Sequence, residues 1–210
     1  MVLSFFALVT CNPGGIEIRL SPRTLPDTMV GQDYKQKFTA SGGISPYTIE
    51  LFGSGQIPPG LAFAQVSSTE ALLEGFSQQA GTFTFNIRVT DNQQKSAIFG
   101  YSLKVLNDTQ APQFSGLKDA TANSSTSIQL TWDPASDNAT PQNKIVYLIC
   151  QSQTQGQCVQ NFQATYTTEG ATSYQVTSLN SGTTYYFVVR ARDRAGNTDA
   201  NTVEKSATTP

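Results

Sequence analysis

Apolar and polar residues alternate in short runs along this chain, and no segment sustains the three-to-four-residue apolar repeat of a packed helix. Thr82-Phe83-Thr84-Phe85-Asn86-Ile87-Arg88-Val89 alternates strictly and predicts a strand with Phe83, Phe85, Ile87 and Val89 on one face. Ile128 to Trp132 and Tyr185 to Ala191 show the same period. Gly, Pro, Asn and Ser clusters separate these runs at roughly ten-residue intervals, the spacing of sandwich or barrel strands. The predicted fold class is all-β, with two tandem immunoglobulin-like β-sandwiches.

The division between them is predicted where the strand Tyr101-Ser102-Leu103-Lys104-Val105 gives way to the polar stretch Asn107 to Ala111, closed by Pro112. A proline biases its predecessor toward extended backbone and stiffens a short link. The expected organisation is a leader over 1–15, a first module over 16–106, a linker over 107–110 and a second module over 111–210.

Composition narrows the chemistry. The chain has no histidine, so a Ser-His-Asp triad, a Cys-His pair and an HExxH zinc site are all excluded. Net charge is −2 and Lys and Arg form no run, which gives nucleic-acid binding little support. Met1 to Thr10 is apolar but too short to span a bilayer, and its length fits the core of a secretory leader. Of three cysteines, Cys150 and Cys158 bracket Gly156 at a spacing that suits a disulfide in an oxidising compartment; two free thiols in a reducing one are the alternative. Cys11 is then unpaired, and Leu8-Val9-Thr10-Cys11 resembles a bacterial lipobox, with Thr10 where Gly, Ala or Ser is usual. That resemblance implies lipid attachment at Cys11, and through it membrane contact and an extracellular or outer-surface location.

In the first module a series of blocks occurs in order: Leu25-Pro26, Val30 to Tyr34, Phe38 to Gly43, Pro46-Tyr47-Thr48, Ile57-Pro58-Pro59-Gly60-Leu61, Leu73-Glu74-Gly75-Phe76, Gly81-Thr82-Phe83 and Val89-Thr90-Asp91. Together they resemble the immunoglobulin-like domain of bacterial surface proteins, a relative of cadherin-like sandwiches. In the second module, Leu130-Thr131-Trp132-Asp133-Pro134 and Leu179-Asn180-Ser181-Gly182-Thr183-Thr184-Tyr185 resemble a fibronectin type III domain. The resemblance implies a buried Trp132 and a tyrosine corner at Tyr185. It also implies Tyr185, Phe187, Val189 and Ala191 facing the core, with Tyr147 and Ile149 facing it from the opposing sheet and Cys150 pointing outward. Ser136-Asp137-Asn138 and Arg192 to Asn197 resemble the bacterial branch of that family.

No block amounts to a catalytic centre, so catalytic and cofactor-binding residues are expected to be none. An integrin-type motif is missing, since Arg194-Ala195-Gly196-Asn197 stands at the corresponding loop. Calcium is the candidate cation: Asp91, Asn107 and Asp108 are candidates to converge at the linker, because calcium collects six to eight oxygens. Asp133, Asp137 and Asp193 rank below them, strand-end Asp and Asn being commonly Asx-turn residues. Tyr101, Tyr166 and Tyr186 are either sugar-stacking platforms or ordinary cross-strand partners, and the second is preferred. The expected function is a non-enzymatic spacer or adhesion-type protein whose partner is a surface protein or polysaccharide. The alternatives are a carbohydrate-binding accessory module and a calcium-rigidified adhesin.

Overall fold

The computed structural model describes residues 17–210. The expected leader and Cys11 lie outside the described residues. The first eight strands are β1 (Arg19–Ser21), β2 (Thr28–Met29), β3 (Asp33–Ser41), β4 (Thr48–Phe52), β5 (Leu61–Gln65), β6 (Glu70–Phe76), β7 (Gly81–Thr90) and β8 (Ser96–Leu106). They form two sheets, ordered β1-β3-β6-β5 and β2-β8-β7-β4, in which only the β2–β8 pair is parallel.

Alternation along these strands builds the first core. Phe99, Tyr101, Leu103 and Val105 of β8 are buried while Ile98, Gly100, Ser102 and Lys104 are exposed. Phe85, Ile87 and Val89 of β7 point the same way, with Phe83 half-buried at the strand's start. They meet Phe38, Ala71 and Leu73 from the other sheet. Phe38 is fully buried and lies 5.2 Å from the Tyr101 ring in an edge-on arrangement, a geometry aromatic pairs prefer. Tyr101 is therefore a core residue, and its hydroxyl donates to the Pro22 carbonyl at 2.8 Å, which excludes it as a sugar platform.

The remaining strands are β9 (Leu117–Ser124), β10 (Ser127–Trp132), β11 (Val146–Ser152), β12 (Tyr166–Glu169), β13 (Ser173–Val176), β14 (Thr184–Arg192) and β15 (Glu204–Thr208). They form sheets ordered β13-β10-β9 and β12-β11-β14-β15. Trp132 is buried, its ring 5.3 Å from Tyr147 and its Nε1–H donating to the Ala171 carbonyl at 2.9 Å. The Tyr185 hydroxyl accepts the backbone N–H of Asn180 at 3.0 Å, which makes the tyrosine corner that the resemblance implied.

Three expectations for this module are corrected. Tyr147 and Ile149 do face the core with Tyr185 and Phe187, but from the same sheet, because β11 pairs directly with β14. The opposing layer is β10 with β9 and β13. Cys150 does point away from the sandwich, yet it is only 4% exposed. A segment containing the short helix α1 (Gln157–Gln160) covers that outer face, where Cys150, Cys158 and Val188 pack with Val159 and Phe162. The Cys150–Cys158 disulfide pins this segment, and the Glu204 carboxylate accepts the Gly156 N–H in front of the helix. Sheet β11–β14 is thus buried on both faces. This corrects the strict alternation expected of Tyr185 to Ala191: Phe187, Val188 and Val189 are buried in succession, because Val188 lies under the α1 segment while its neighbours face the core.

Candidate functional site

A connected set of polar side chains lies where the two modules meet. Strand β8 ends at Leu106 and delivers Asp108, which is 8% exposed. The stretch after β10 delivers Asp137, and the turn after β14 delivers Asp193. One carboxylate oxygen from each of these three residues lies within 4.8 Å of the others.

Local hydrogen bonds hold each carboxylate in place. Asp108 Oδ1 accepts the N–H of Gln110 at 3.2 Å and the side-chain amide of Asn138 at 3.1 Å. Asp137 Oδ2 caps the N–H groups of Ala139 and Thr140 at 3.0 and 2.8 Å. Asp193 takes the Asn197 N–H on Oδ1 at 2.8 Å and the Asn197 amide on Oδ2 at 2.7 Å. That amide also donates to the Asp108 carbonyl at 3.2 Å. The other oxygens differ. Asp108 Oδ2 and Asp137 Oδ1 are buried with no hydrogen-bond partner.

The electrostatics are one-sided. Burial first, and then the charges of Asp137 and Asp108, push the Asp193 carboxyl above the ordinary carboxylate range, against the hydrogen bonds from Asn197. Two like charges 4 Å apart repel by about 4 kcal/mol at an effective dielectric near 20. Among the described residues, no Lys or Arg forms an ion pair with any of the three. Arg194, next in the chain to Asp193, turns its guanidinium to the first module instead. It stacks on Phe76 at 4.0 Å, donates to the Gly31 carbonyl at 3.2 Å and pairs with Asp33 at 2.6 Å. Its backbone N–H donates to Thr140 Oγ1 at 3.0 Å. Gly31 permits this approach: a Cβ there would stand 3.0 Å from Arg194 Cβ. A cleft of ≈ 220 Å³ opens beside the cluster, lined by Gln110, Ala111, Gln113, Ser136, Asp137 and Asn138.

The sequence-predicted residues distribute as follows. Asp108 is in the cluster, and Asn107 beside it is exposed. Asp91 does not converge with them: it follows β7, at the far end of the 11-residue β8, about 35 Å away at the usual strand rise. There it organises a turn. Burial works to raise its pKa, but the N–H groups of Lys95, Ile44 and Gln93 outweigh it and hold the carboxyl below its ordinary value. Asp133 is exposed and pairs with Lys118 at 3.0 Å. Asp137 and Asp193, ranked lowest, are the residues that join Asp108. Tyr166 packs on Tyr174 at 5.4 Å and Tyr186 is half-buried in β14.

Residues 18–106 match the family described as Putative Ig domain, and residues 110–206 match the fibronectin type III domain. Chitinase A1 of Niallia circulans is 30% identical over 142 residues, which is 64% of this chain and 18% of that relative. Among solved structures, titin domains A168–A170 align with 91% of this chain and 66% of theirs, at 18% identity and TM-score 0.37. The sixth fibronectin type III domain of human fibronectin type III domain containing protein 3 aligns with 49% of this chain and 90% of its own, at 23% identity and TM-score 0.38. By the two family matches the chain carries two domains in series, a Putative Ig domain over residues 18–106 followed by a fibronectin type III domain over residues 110–206.

Proposed function

We propose that the chain is a non-catalytic extracellular spacer, two sandwich domains held at a fixed angle so that loops at its ends are presented at a set reach. Domains of both families are typically non-catalytic modules. The observation that carries the reading is the packed junction. Arg194 belongs to the second module, yet its side chain is only 16% exposed and is engaged by Phe76, Gly31 and Asp33 of the first. Asn138 adds a link, donating to Met29 Sδ at 3.1 Å as well as to Asp108. A flexible tether would leave such groups in water. Two sandwiches in line reach roughly 70–80 Å, from strand rise and sandwich size.

Small-angle scattering tests this. The wild-type chain gives a narrow distance distribution with one maximum dimension, and Arg194→Ala broadens it while both modules stay folded, since a stacked guanidinium contributes about 1–2 kcal/mol. A broad wild-type distribution would sink the spacer reading.

The likeness to a chitinase favours a second reading, an accessory module of an extracellular polysaccharide-degrading system. Co-sedimentation with insoluble chitin separates the two: a pure spacer stays in the supernatant, and saturable retention supports the accessory role.

A further inference from the structure

We propose that Asp108, Asp137 and Asp193 form a calcium site that locks the junction between the two modules. Three carboxylates from three separate stretches of chain place oxygens within 4.8 Å of one another. Two ligands of one calcium ion stand at most about 5 Å apart, because Ca–O distances are 2.3–2.6 Å. The three oxygens fit one such ion.

The independent observation is the pair of buried acceptors. Asp108, 8% exposed, has one oxygen tied to Gln110 and Asn138, while Oδ2 is buried with no hydrogen-bond partner. Asp137 repeats the pattern, Oδ2 capping Ala139 and Thr140 and Oδ1 unpartnered. Buried polar groups are ordinarily paired, and a buried carboxylate oxygen without a donor calls for a cation. The guanidinium of Arg194, next in the chain to Asp193, is committed to Asp33. The hydrogen bonds that do exist hold the carboxylates from behind, as outer partners orient metal ligands.

Ligand chemistry selects the ion. The converging side-chain donors are oxygens, without the imidazole or thiolate that zinc and copper favour. They come from a linker and two loops, an irregular frame that suits calcium better than the near-ideal octahedron magnesium demands. The consequence is mechanical. Asp108 belongs to the linker, and its partner Asn138 also touches Met29 of the first module, so an ion there couples linker, second module and first module at one point. The ion fixes the angle between the modules, and so serves the spacer role proposed above, without contacting whatever the end loops present.

The test is thermal melting of the full chain after EDTA treatment, with and without about 10 mM calcium, a concentration that saturates sites of the 0.1–1 mM class found in extracellular modules. Calcium raises the melting temperature of the second module by about 5 °C or more. Asp137→Asn keeps the Ala139 and Thr140 caps through its amide oxygen. It abolishes the calcium shift and melts in EDTA no lower than wild type, because one of the crowded charges is gone. Asp193→Asn is the second variant, should the first not fold, and Asp133→Asn, outside the cluster, keeps the full shift. Identical melting of the wild type in calcium and EDTA overturns the site, as does a calcium shift that survives Asp137→Asn. An equal shift from magnesium overturns the assignment of calcium.

Discussion

Trp132→Ala unfolds the second module and leaves the first standing. The indole is 3% exposed and central to a core shared with Tyr147, Ile128, Leu130 and Phe187, none of which belongs to the first module's core. Truncating a buried Trp or Phe to Ala costs about 3–5 kcal/mol, since atoms removed from contact leave a void that the sandwich fills only in part. Loss of the Nε1–H donor leaves the Ala171 carbonyl without its side-chain partner, about 1 kcal/mol more. A domain of this size has about 5–15 kcal/mol in all, so the variant module sits at or near the edge of stability. Calorimetry reads the outcome as two transitions: the one from the second module moves down by more than 10 °C, or vanishes, and the other moves by only a few degrees. The residual movement comes from the junction, because Phe76 and Asp33 lose their Arg194 partner when the second module melts. A joint collapse of both transitions would mean that the modules do not fold as separate units.

Strand periodicity and the fibronectin-like blocks were enough to place Trp132 and Tyr185 in the core and to expect the tyrosine corner, because both depend on local sequence and the alternation of a strand. Neither carries information about which strands become neighbours. Tyr147 was therefore assigned to the opposing sheet, although β11 and β14 lie side by side. Cys150 was expected to point outward, and it does so in direction; the cover over it comes from the loop that its own disulfide pins, a tertiary contact with no period to reveal it. The junction cluster was legible only in part. Asp108 stands out because it follows a predicted last strand, but Asp91, grouped with it as a further oxygen donor, belongs to the opposite end of β8. Asp137 and Asp193 were visible as members of family-like segments, and their conversion from turn residues into a shared site needs the folding of two sheets to bring their loops together. The buried, unpartnered oxygens of Asp108 and Asp137 have no sequence signal at all.

Gly75→Ala is expected to do to the first module what Trp132→Ala does to the second. In the sequence, Ile57 to Leu61 and Leu73 to Phe76 are two of the blocks that carry the family resemblance, each with a glycine. Their physical reason is a near-collision of backbones. Gly75 lies within β6, opposite Tyr34 of β3 and Leu61 of β5, at φ +129°, where side-chain-bearing residues are strained. A Cβ on it would stand 2.4 Å from the Gly60 carbonyl oxygen. Gly60 meets the mirror problem, its own Cβ falling 2.2 Å from the Phe76 oxygen. Neither obstacle is the end of a flexible side chain, so relief requires β5 to separate from β6 just where Leu61 enters the core. Backbone strain of about 1–3 kcal/mol and overpacking of about 1–3 kcal/mol act together, for a loss of roughly 2–6 kcal/mol. Gly182→Ala is the matched comparison. It also has positive φ, at +65°, but its Cβ would meet nothing within 4 Å, so only the conformational cost of about 1–2 kcal/mol remains. In urea unfolding, Gly75→Ala lowers the midpoint of the first module by roughly two to three times the shift that Gly182→Ala causes in the second. Equal shifts would show that φ alone sets the preference for glycine and that the β5–β6 approach is readily relaxed. The larger loss at Gly75 would establish that the two glycines of this family's pattern stand there to let two backbones touch.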